Sequence, residues 1–364
     1  MAIEFAARIS RIPTYPVAAG YALGDDVAML ASNESPFGPL PAVVEAAQRA
    51  VVGVNRYPDP SYSPLRLALA DRYGIAPGRI ALGNGSCDIL LAAGEALLEP
   101  GAEVVYAWPA FSVYPHLAAA SGARAIEVPL DAEDRHDLEA MATEVTVATR
   151  LVLICNPNNP TSTALGLEQI EALLERVPRH VCVILDEAYC EFALTLGDPF
   201  TSVELLRRWP NLVLLRTFSK VYGLAGMRVG YALCGDERFR QAVDQVRQPF
   251  HLGAVSQAAA VEALAHQDAV EDRVTRTIAY RLALEEGIRG LGMWLADSEA
   301  NFVWVRLPDS EDPAGDEAAI TRGLAERGVL VRAGASLGRE GALRVTVGTE
   351  AENARFVAAM AELL

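Results

Sequence analysis

The chain has only one lysine, Lys220, and the other 30 of its 31 basic residues are arginines. Arginine replaces lysine readily at solvated positions, and a general bias toward arginine would also leave few lysines. A guanidinium keeps its proton in proteins, however, whereas an ε-amine loses its proton when it is buried or lies near other cations. The single retained lysine is therefore a candidate nucleophile that can form a Schiff base with a carbonyl group.

Long apolar runs and basic surfaces are also missing. No stretch of about 18 uncharged apolar residues is present, which excludes a membrane-spanning helix. No basic and apolar leader opens the chain, and residues 1–11 predict an amphipathic arm instead. The formal net charge of −16 argues against a nucleic-acid partner, because binding to phosphates requires a basic face.

Cysteine is scarce, and its pattern excludes a zinc site. The five cysteines are odd in number and widely spaced, and they match no pattern of metal ligands. Most of them lie in apolar runs, which indicates buried thiols and no bound metal. Buried free thiols are typical of a reducing compartment, so we expect a cytoplasmic protein.

Apolar segments alternate with segments of helical periodicity through most of the chain. Residues 167–177, for example, predict a helix with Leu167, Ile170 and Leu173 on one face. The apolar segments are mostly continuous runs, which is typical of strands covered on both faces of an α/β sheet. We predict such strands at residues 79–82, 103–107, 151–155, 181–185, 212–215 and 229–233.

The chain is long for a single core, so we expect two domains of the α/β class. Residues 256–291 have an almost wholly helical pattern, and three further strands and a final helix follow, the strands at 301–307, 329–332 and 343–347. We predict that residues 1–40 form an N-terminal arm with part of the smaller domain. Residues 41–252 would form a large domain with a mostly parallel central sheet, and residues 253–364 a smaller α/β domain.

Two polar turns follow predicted strands. Residues 83–86, Gly-Asn-Gly-Ser, lead into a helix, where free N–H groups can bind a phosphate. Taken alone, this segment is better explained as a tight turn capped by Ser86. Residues 155–161, Cys-Asn-Pro-Asn-Asn-Pro-Thr, predict a rigid turn whose carboxamides could donate to a ligand, although a plain loop of turn-forming residues fits equally well.

Two acids stand at the end of the predicted strand 181–185. A carboxylate in this position is costly unless it is paired, and Asp186 would suit a protonated ring nitrogen. Glu187 points to the opposite face if the strand continues, so we expect it to have a structural role. Tyr189 lies just beyond, within reach of the same ligand. The alternative for Asp186 is that it caps the next helix.

Residues 217–228 combine a hydroxyl, the single amine and an arginine. Ser219 and Arg228 can both bind a phosphate, and the charge of Arg228 would help to lower the pKa of Lys220. An exposed loop lysine is the alternative, but the flanking apolar and glycine residues argue against it.

These motifs together resemble the fold-type I, class II pyridoxal-phosphate aminotransferases, within the histidinol-phosphate aminotransferase group. The resemblance extends nearly from end to end, and the ordered set is far more specific than any one motif. It rests on residues 30–34, 55–59, 83–86, 156–161, 186–189, 219–228 and 343–348.

The resemblance implies pyridoxal 5′-phosphate as the cofactor, with Lys220, Asp186 and Tyr189 as the catalytic residues. Lys220 would form the Schiff base and move a proton as general base. Asp186 would pair with the pyridine nitrogen, Tyr189 and Asn159 would bond the phenolic oxygen, and Phe111 would stack on the ring.

The resemblance also implies how the phosphate of the cofactor is bound and that the protein is a homodimer with shared active sites. Tyr57 would reach the phosphate from the second subunit. The remaining contacts would come from one subunit, namely from Gly85, Ser86, Cys87, Ser219 and Arg228.

The substrate is expected to carry an anionic group. Members of the group bind such a group with arginines at the positions of Arg332 and Arg344, and Tyr15 resembles an aromatic residue contributed by the partner's arm. We predict ping-pong transamination of histidinol phosphate with 2-oxoglutarate, giving imidazole acetol phosphate and glutamate. An aromatic amino acid is the alternative donor, and both arginines could also be ordinary surface residues. A phospho-amino-acid decarboxylase and a non-enzymatic regulator are the alternative functions.

Two positions depart from the pattern of the group. Cys87 replaces the acid that usually follows the Gly-Ser of the phosphate turn, which removes a favourable charge from the start of a helix. His251 stands where an asparagine is often found. It would alter specificity if it lined the substrate pocket, but a packed or capping histidine is the preferred interpretation.

Overall fold

The computed structural model describes residues 3–12 and 26–364. Helices surround three sheets, and the strands are β1 (Ala28–Met29), β2 (Ile80–Gly83), β3 (Glu103–Trp108), β4 (Arg124–Pro129), β5 (Thr149–Cys155), β6 (Cys182–Asp186), β7 (Leu212–Thr217), β8 (Gly230–Cys234), β9 (Trp294–Leu295), β10 (Phe302–Arg306), β11 (Val329–Leu330), β12 (Arg332–Ala333) and β13 (Ala342–Thr346).

The helices fall between and after these strands. They are α1 (Pro41–Val51), α2 (Ser63–Tyr73), α3 (Ser86–Leu97), α4 (Tyr114–Ser121), α5 (Leu138–Thr143), α6 (Leu167–Arg176), α7 (Thr201–Leu205), α8 (Glu237–Val246), α9 (Ala254–Leu264), α10 (Gln267–Gly290), α11 (Pro313–Glu326) and α12 (Glu350–Leu363). No described helix is both long and apolar enough to cross a membrane.

The large sheet has seven strands in the order β2-β8-β7-β6-β5-β3-β4. All neighbours are parallel except β8, which runs antiparallel to both β2 and β7. The interior strands β5, β6 and β7 are almost wholly buried, because helices cover both faces of the sheet. The predicted α/β class with a mostly parallel central sheet is therefore confirmed, and all six predicted strands are present to within about one or two residues.

The prediction missed the edge strand β4. Its six residues are mainly exposed or half-buried, and only Val128 is fully buried. A strand at the edge of a sheet needs no continuous apolar run, because one side of it faces solvent. Its sequence therefore lacked the signal by which the other strands were found.

A four-stranded antiparallel sheet in the order β12-β13-β10-β9 forms the C-terminal part, and α10, α11 and α12 pack around its core. The predicted strand 329–332 is in fact two short strands, since β11 pairs with β1 in a separate two-stranded sheet while β12 pairs with β13. Helix α9 packs against α1 and α2 on the large-sheet side. The division at residues 252 and 253 stays a prediction.

A buried ion pair lies behind the large sheet. Glu187 accepts a hydrogen bond of 2.9 Å from Nε of Arg216, and both side chains are almost completely buried. Arg216 also donates to the hydroxyl of Ser202 at 3.0 Å. Glu187 thus has the structural role that was predicted for it, on the face opposite Asp186.

Removing the charge of Glu187 is expected to destabilise the fold. In Glu187→Gln, Arg216 would keep an uncompensated buried charge, so the free energy of unfolding should fall by about 3 kcal/mol. Denaturant unfolding of the two proteins measures this difference. Glu204→Gln, which breaks the exposed pair with Arg207, is the matched control and should change stability by less than about 1 kcal/mol. Equal effects of the two substitutions would contradict the prediction.

Candidate active site

A cavity of about 400 Å³ opens where the carboxyl ends of β5, β6 and β7 meet. Parallel strands deliver the residues that follow them to one edge of the sheet, which is where α/β proteins bind ligands. The cavity also receives residues from the C-terminal sheet. The predicted site residues that line it are Ser86, Cys87, Phe111, Asn159, Asp186, Tyr189, Ser219, Lys220, Arg228, Arg332 and Arg344.

Lys220 follows β7, and its amine lies at the base of the cavity. Nζ donates to the backbone carbonyls of Ser32 at 3.3 Å and Asn33 at 3.0 Å. Burial, assisted by the positive charge of Arg344, lowers the pKa of Lys220 to about 7. A large fraction of the amine is therefore neutral near pH 7 and able to attack a carbonyl carbon.

Asp186 ends β6 and is almost completely buried beside the cavity. Its Oδ2 accepts a hydrogen bond of 3.2 Å from the hydroxyl of Tyr114, and its Oδ1 accepts one of 3.3 Å from the backbone N–H of Ala188. Burial raises the pKa of Asp186 to about 7, although these two hydrogen bonds lower it. A protonated ring nitrogen placed beside it would compensate the carboxylate charge.

A hydrogen-bonded network joins Tyr189 to the opposite wall. Asn33 donates through Nδ2 to the Tyr189 hydroxyl at 3.1 Å. Arg344 donates to Oδ1 of Asn159 at 2.6 Å and to the carbonyl of Ala31 at 2.7 Å. Burial raises the pKa of Tyr189 above its usual value, so its hydroxyl keeps a proton that it can donate to a ligand oxygen.

The phosphate turn is shaped by two glycines. Gly85 has a φ of +79° and precedes α3, and a Cβ at this position would lie 2.5 Å from Nη2 of Arg228. A Cβ on Gly230 would lie 2.2 Å from the backbone nitrogen of Ser86. Only glycine permits both approaches. The guanidinium of Arg228 therefore lies directly against the amino end of α3, and the hydroxyl of Ser219 lines the same cavity.

The structure shows how the chain tolerates Cys87 at the start of α3. Burial raises the pKa of the Cys87 thiol to about 11, so the side chain stays neutral. Asp88 accepts a hydrogen bond of 2.9 Å from the backbone N–H of Asn84 through Oδ2. An acid one residue later thus satisfies a free donor of the turn and interacts favourably with the amino end of the helix.

These residues fit pyridoxal phosphate. The amino end of α3 with Ser219 and Arg228 offers N–H, hydroxyl and guanidinium donors for a phosphate. Asp186 offers a buried carboxylate that needs a cation, and Lys220 offers a neutral amine. The donor set therefore accommodates the phosphate, the ring nitrogen and the carbonyl of the cofactor in one cavity.

Gly85, Tyr57 and His251, all named in the sequence analysis, are not among the described residues that line the cavity, although Gly85 directly precedes Ser86, which does. Tyr57 is 82% exposed and stacks on Phe250, with ring centroids 4.6 Å apart. Tyr15 lies outside the described residues. His251 packs instead of lining the cavity, because its Nδ1 hydrogen-bonds the hydroxyl of Tyr62 at 3.0 Å and its Nε2 lies 3.1 Å from Nη1 of Arg247. The preferred interpretation of His251 is therefore confirmed.

Sequence reasoning assigned no role to two residues that the structure places at the site. Tyr114 lies in α4, far from Asp186 along the chain, and no local pattern marked it. Asn33 belongs to a quoted motif, and its φ of +53° in a buried segment is a conformation that asparagine tolerates better than most residues. Its motif was a signal, but only the fold shows that it contacts Tyr189.

Arg332 and Arg344 face each other directly across β12 and β13, and both are largely buried at the cavity. Like charges opposite each other on antiparallel strands repel. An anion bound between the two guanidiniums would reduce this repulsion. The predicted pair is therefore brought together, and neither arginine is an ordinary surface residue.

The titration of Lys220 can be measured selectively because the chain has no other lysine. In the apoprotein, acylation of Lys220, followed by mass spectrometry of its peptide, should have its midpoint at about pH 7. An ordinary lysine would titrate near about 10.4. In Arg344→Gln the midpoint should rise, since a neighbouring cation is lost, but it should stay below the ordinary value because burial remains. A midpoint near that of an exposed lysine would refute the prediction.

Comparison with known proteins agrees with this geometry. The family described as aminotransferase class I and II matches residues 25–360. An aromatic amino acid aminotransferase of Thermobifida fusca (strain YX) is 44% identical over 330 residues, covering 91% of this chain and 88% of the relative. Histidinol-phosphate aminotransferase 1 of Cupriavidus pinatubonensis is 43% identical over 339 residues, covering 93% and 88%.

The fold comparison gives the same result. The histidinol-phosphate aminotransferase of Sinorhizobium meliloti, solved in complex with pyridoxal-5′-phosphate, superimposes with a TM-score of 0.87 at 31% identity, covering 100% of this chain and 98% of that chain. The predicted fold type and cofactor are thereby confirmed. The chain belongs to the class I and II aminotransferases and is a pyridoxal-phosphate-dependent enzyme.

Proposed function

We propose that the protein transaminates histidinol phosphate with 2-oxoglutarate as the amino acceptor. The observation that supports this choice is that Arg332 and Arg344 lie directly opposite each other on β12 and β13, and that both line the cavity. Two guanidiniums supply two positive charges and planar arrays of donors, which match a phosphate dianion better than a single carboxylate. The two carboxylates of 2-oxoglutarate can use the same arginines in the second half-reaction.

The residues of the chain divide the catalytic work. When bound, pyridoxal phosphate supplies a carbonyl carbon for the amino group and a ring that delocalises negative charge. Asp186 would hold the ring nitrogen protonated, and Tyr189 and Asn159 would orient the ring oxygen. The neutral amine of Lys220 would accept the proton of the substrate α-carbon, and a pKa of about 7 suits a general base that must also give this proton up again.

An aromatic amino acid is the second candidate donor. The relative at 44% identity and several others at 37–42% are named aromatic amino acid aminotransferases. In this case Arg332 and Arg344 would bind a carboxylate.

A phospho-amino-acid decarboxylase would use the same Lys220 and Asp186, and product analysis separates it from an aminotransferase. Membership of an enzyme family removes the support for a non-enzymatic regulator.

The donor can be identified from a single half-reaction. The holoenzyme is mixed with histidinol phosphate, phenylalanine or tyrosine, and the visible absorbance of the bound cofactor is followed. We expect kcat/KM to be highest for histidinol phosphate. A preference for phenylalanine or tyrosine would establish the second candidate, and no spectral change with any donor would end the proposal. Lys220→Arg is the inactive control, because a guanidinium cannot attack the carbonyl.

Arginine variants test the assignment of the anionic group within the same assay. Arg332→Gln removes one charged donor and should lower kcat/KM for histidinol phosphate about 10- to 100-fold. Arg289→Gln, which alters a half-exposed arginine paired with Glu285, is the matched control and should be nearly unchanged. Similar values for both variants would remove Arg332 from the anion site.

We further propose that the protein acts as a cytoplasmic homodimer with shared active sites. Tyr57 is exposed and lies outside the cavity of its own chain, as a contribution to a partner requires. The five cysteines are all free thiols, which suits a reducing compartment.

Shared sites predict complementation between two defective variants. Tyr57→Ala should bind the cofactor phosphate weakly, and Lys220→Arg should be inactive. A mixed dimer of the two has one site with both Lys220 and Tyr57 intact, so co-refolding should restore activity that neither variant has alone. Activity no greater than the sum of the two separate proteins would contradict a shared site.

A further inference from the structure

Asp134 is a fully buried carboxylate in the loop between β4 and α5, outside the cavity. It pairs with two arginines of the C-terminal part. Its Oδ2 lies 2.8 Å from Nη2 of Arg306, and its Oδ1 accepts a hydrogen bond of 2.5 Å from Nη1 of Arg339. A buried carboxylate is costly unless it is paired, so this arrangement holds three segments in a defined position.

The backbone of Asp134 extends the network toward the cavity. Its carbonyl accepts a hydrogen bond of 2.8 Å from the hydroxyl of Thr163. The hydroxyls of Thr163 and Thr161 are 3.0 Å apart, and Asn158 donates to Thr161 at 2.8 Å. The next residue is Asn159, which accepts from Arg344 in the cavity. Asp134 is thereby connected to the turn that carries one wall of the site.

Through Arg339, the network also reaches the wall of the cavity that contains Leu337. Arg339 follows a short 3₁₀ helix, Ala335–Leu337, and Leu337 lines the cavity. The intervening Gly338 lies so close to Trp108 that a Cβ would be 2.7 Å from the indole Cζ2. The backbone N–H of Arg339 also donates to the carbonyl of Gly334 at 3.0 Å. The segment 334–339 is therefore held from both ends, directly after the strand that carries Arg332.

The second arginine contacts the sheet that carries Arg344. Arg306 ends β10, which pairs with β13, and its register partner is Ala342. Arg306 also stacks on Trp294, with the guanidinium carbon 3.8 Å from the ring centroid. One carboxylate is thus linked to both strands that present the arginine pair to the cavity.

We infer that Asp134 is a positioning residue for substrate binding, which sets the distance between the turn at Asn159 and the segment that carries Leu337 and Arg332. It contacts neither substrate nor cofactor. It acts by fixing two walls of the cavity relative to each other. This inference rests on the proposed function, because it takes Arg332 and Arg344 as the site of the anionic group.

Asp134→Asn is the informative substitution. Asparagine has the same shape and tolerates the left-handed conformation of this residue, whose φ is +60°, but it removes the charge that both arginines need. In the holoenzyme we expect KM for the amino donor to rise about tenfold while kcat changes less than about twofold. The dissociation constant of pyridoxal phosphate, measured by cofactor fluorescence, should be unchanged.

Asp297→Asn is the matched control. It breaks the pair of Arg135 with Asp297, which joins the same loop to the C-terminal part but is exposed. KM in this variant should equal that of the unaltered enzyme. Arg339→Met should reproduce the rise in KM, and Arg339→Lys should restore part of the loss, because a lysine still carries a charge to Asp134.

Hydrogen exchange separates this inference from the proposed function. The peptide that covers residues 334–342 should exchange faster in Asp134→Asn holoenzyme than in Asp297→Asn holoenzyme, whichever donor is used. If no donor is turned over by the unaltered protein, the proposed function fails, and the exchange difference still shows whether Asp134 fixes the two walls of the cavity. Equal exchange in the two variants, or a parallel fall in kcat and cofactor affinity, would overturn it.

Discussion

The burial of ionisable groups at the carboxyl edge of the large sheet determines the chemistry of this protein. Asp186 ends β6 and Lys220 follows the neighbouring strand β7, so both line one cavity. The loss of hydration there penalises the charged form of each. The pKa of the carboxyl therefore rises to about 7, while that of the amine falls to about 7. One environment thus prepares a carboxylate that needs a cation and an amine that loses its proton near neutral pH.

The other buried charges follow a different rule. Glu187 with Arg216 and Asp134 with two arginines form compensated groups away from the cavity, where they position strands and loops. At the cavity, Arg332 and Arg344 lie directly opposite each other on β12 and β13. Like charges in this register repel, and a bound anion would reduce the repulsion. In the proposed function, these two arginines would bind the anionic group of the substrate.

Much of the fold could be predicted because interior strands of a covered sheet are continuous apolar runs. The polar residues that end those runs, Asp186 and Lys220, were found for the same reason. The edge strand β4 was missed because half of it faces solvent, and the split of residues 329–332 between two sheets was missed because each strand has only two residues. Tyr114 was missed because it reaches Asp186 from a helix distant in sequence.

The sequence by itself determined the class of fold, the single amine, the acid that ends β6 and the family to which the chain belongs. These features depend on local pattern and order along the chain. Only the tertiary structure decided which residues Glu187 and His251 contact, that Tyr114 reaches Asp186, and that Asp134 links both walls of the site. These features depend on contacts between residues far apart in sequence, and the desolvation that shifts a pKa exists only once those contacts have formed.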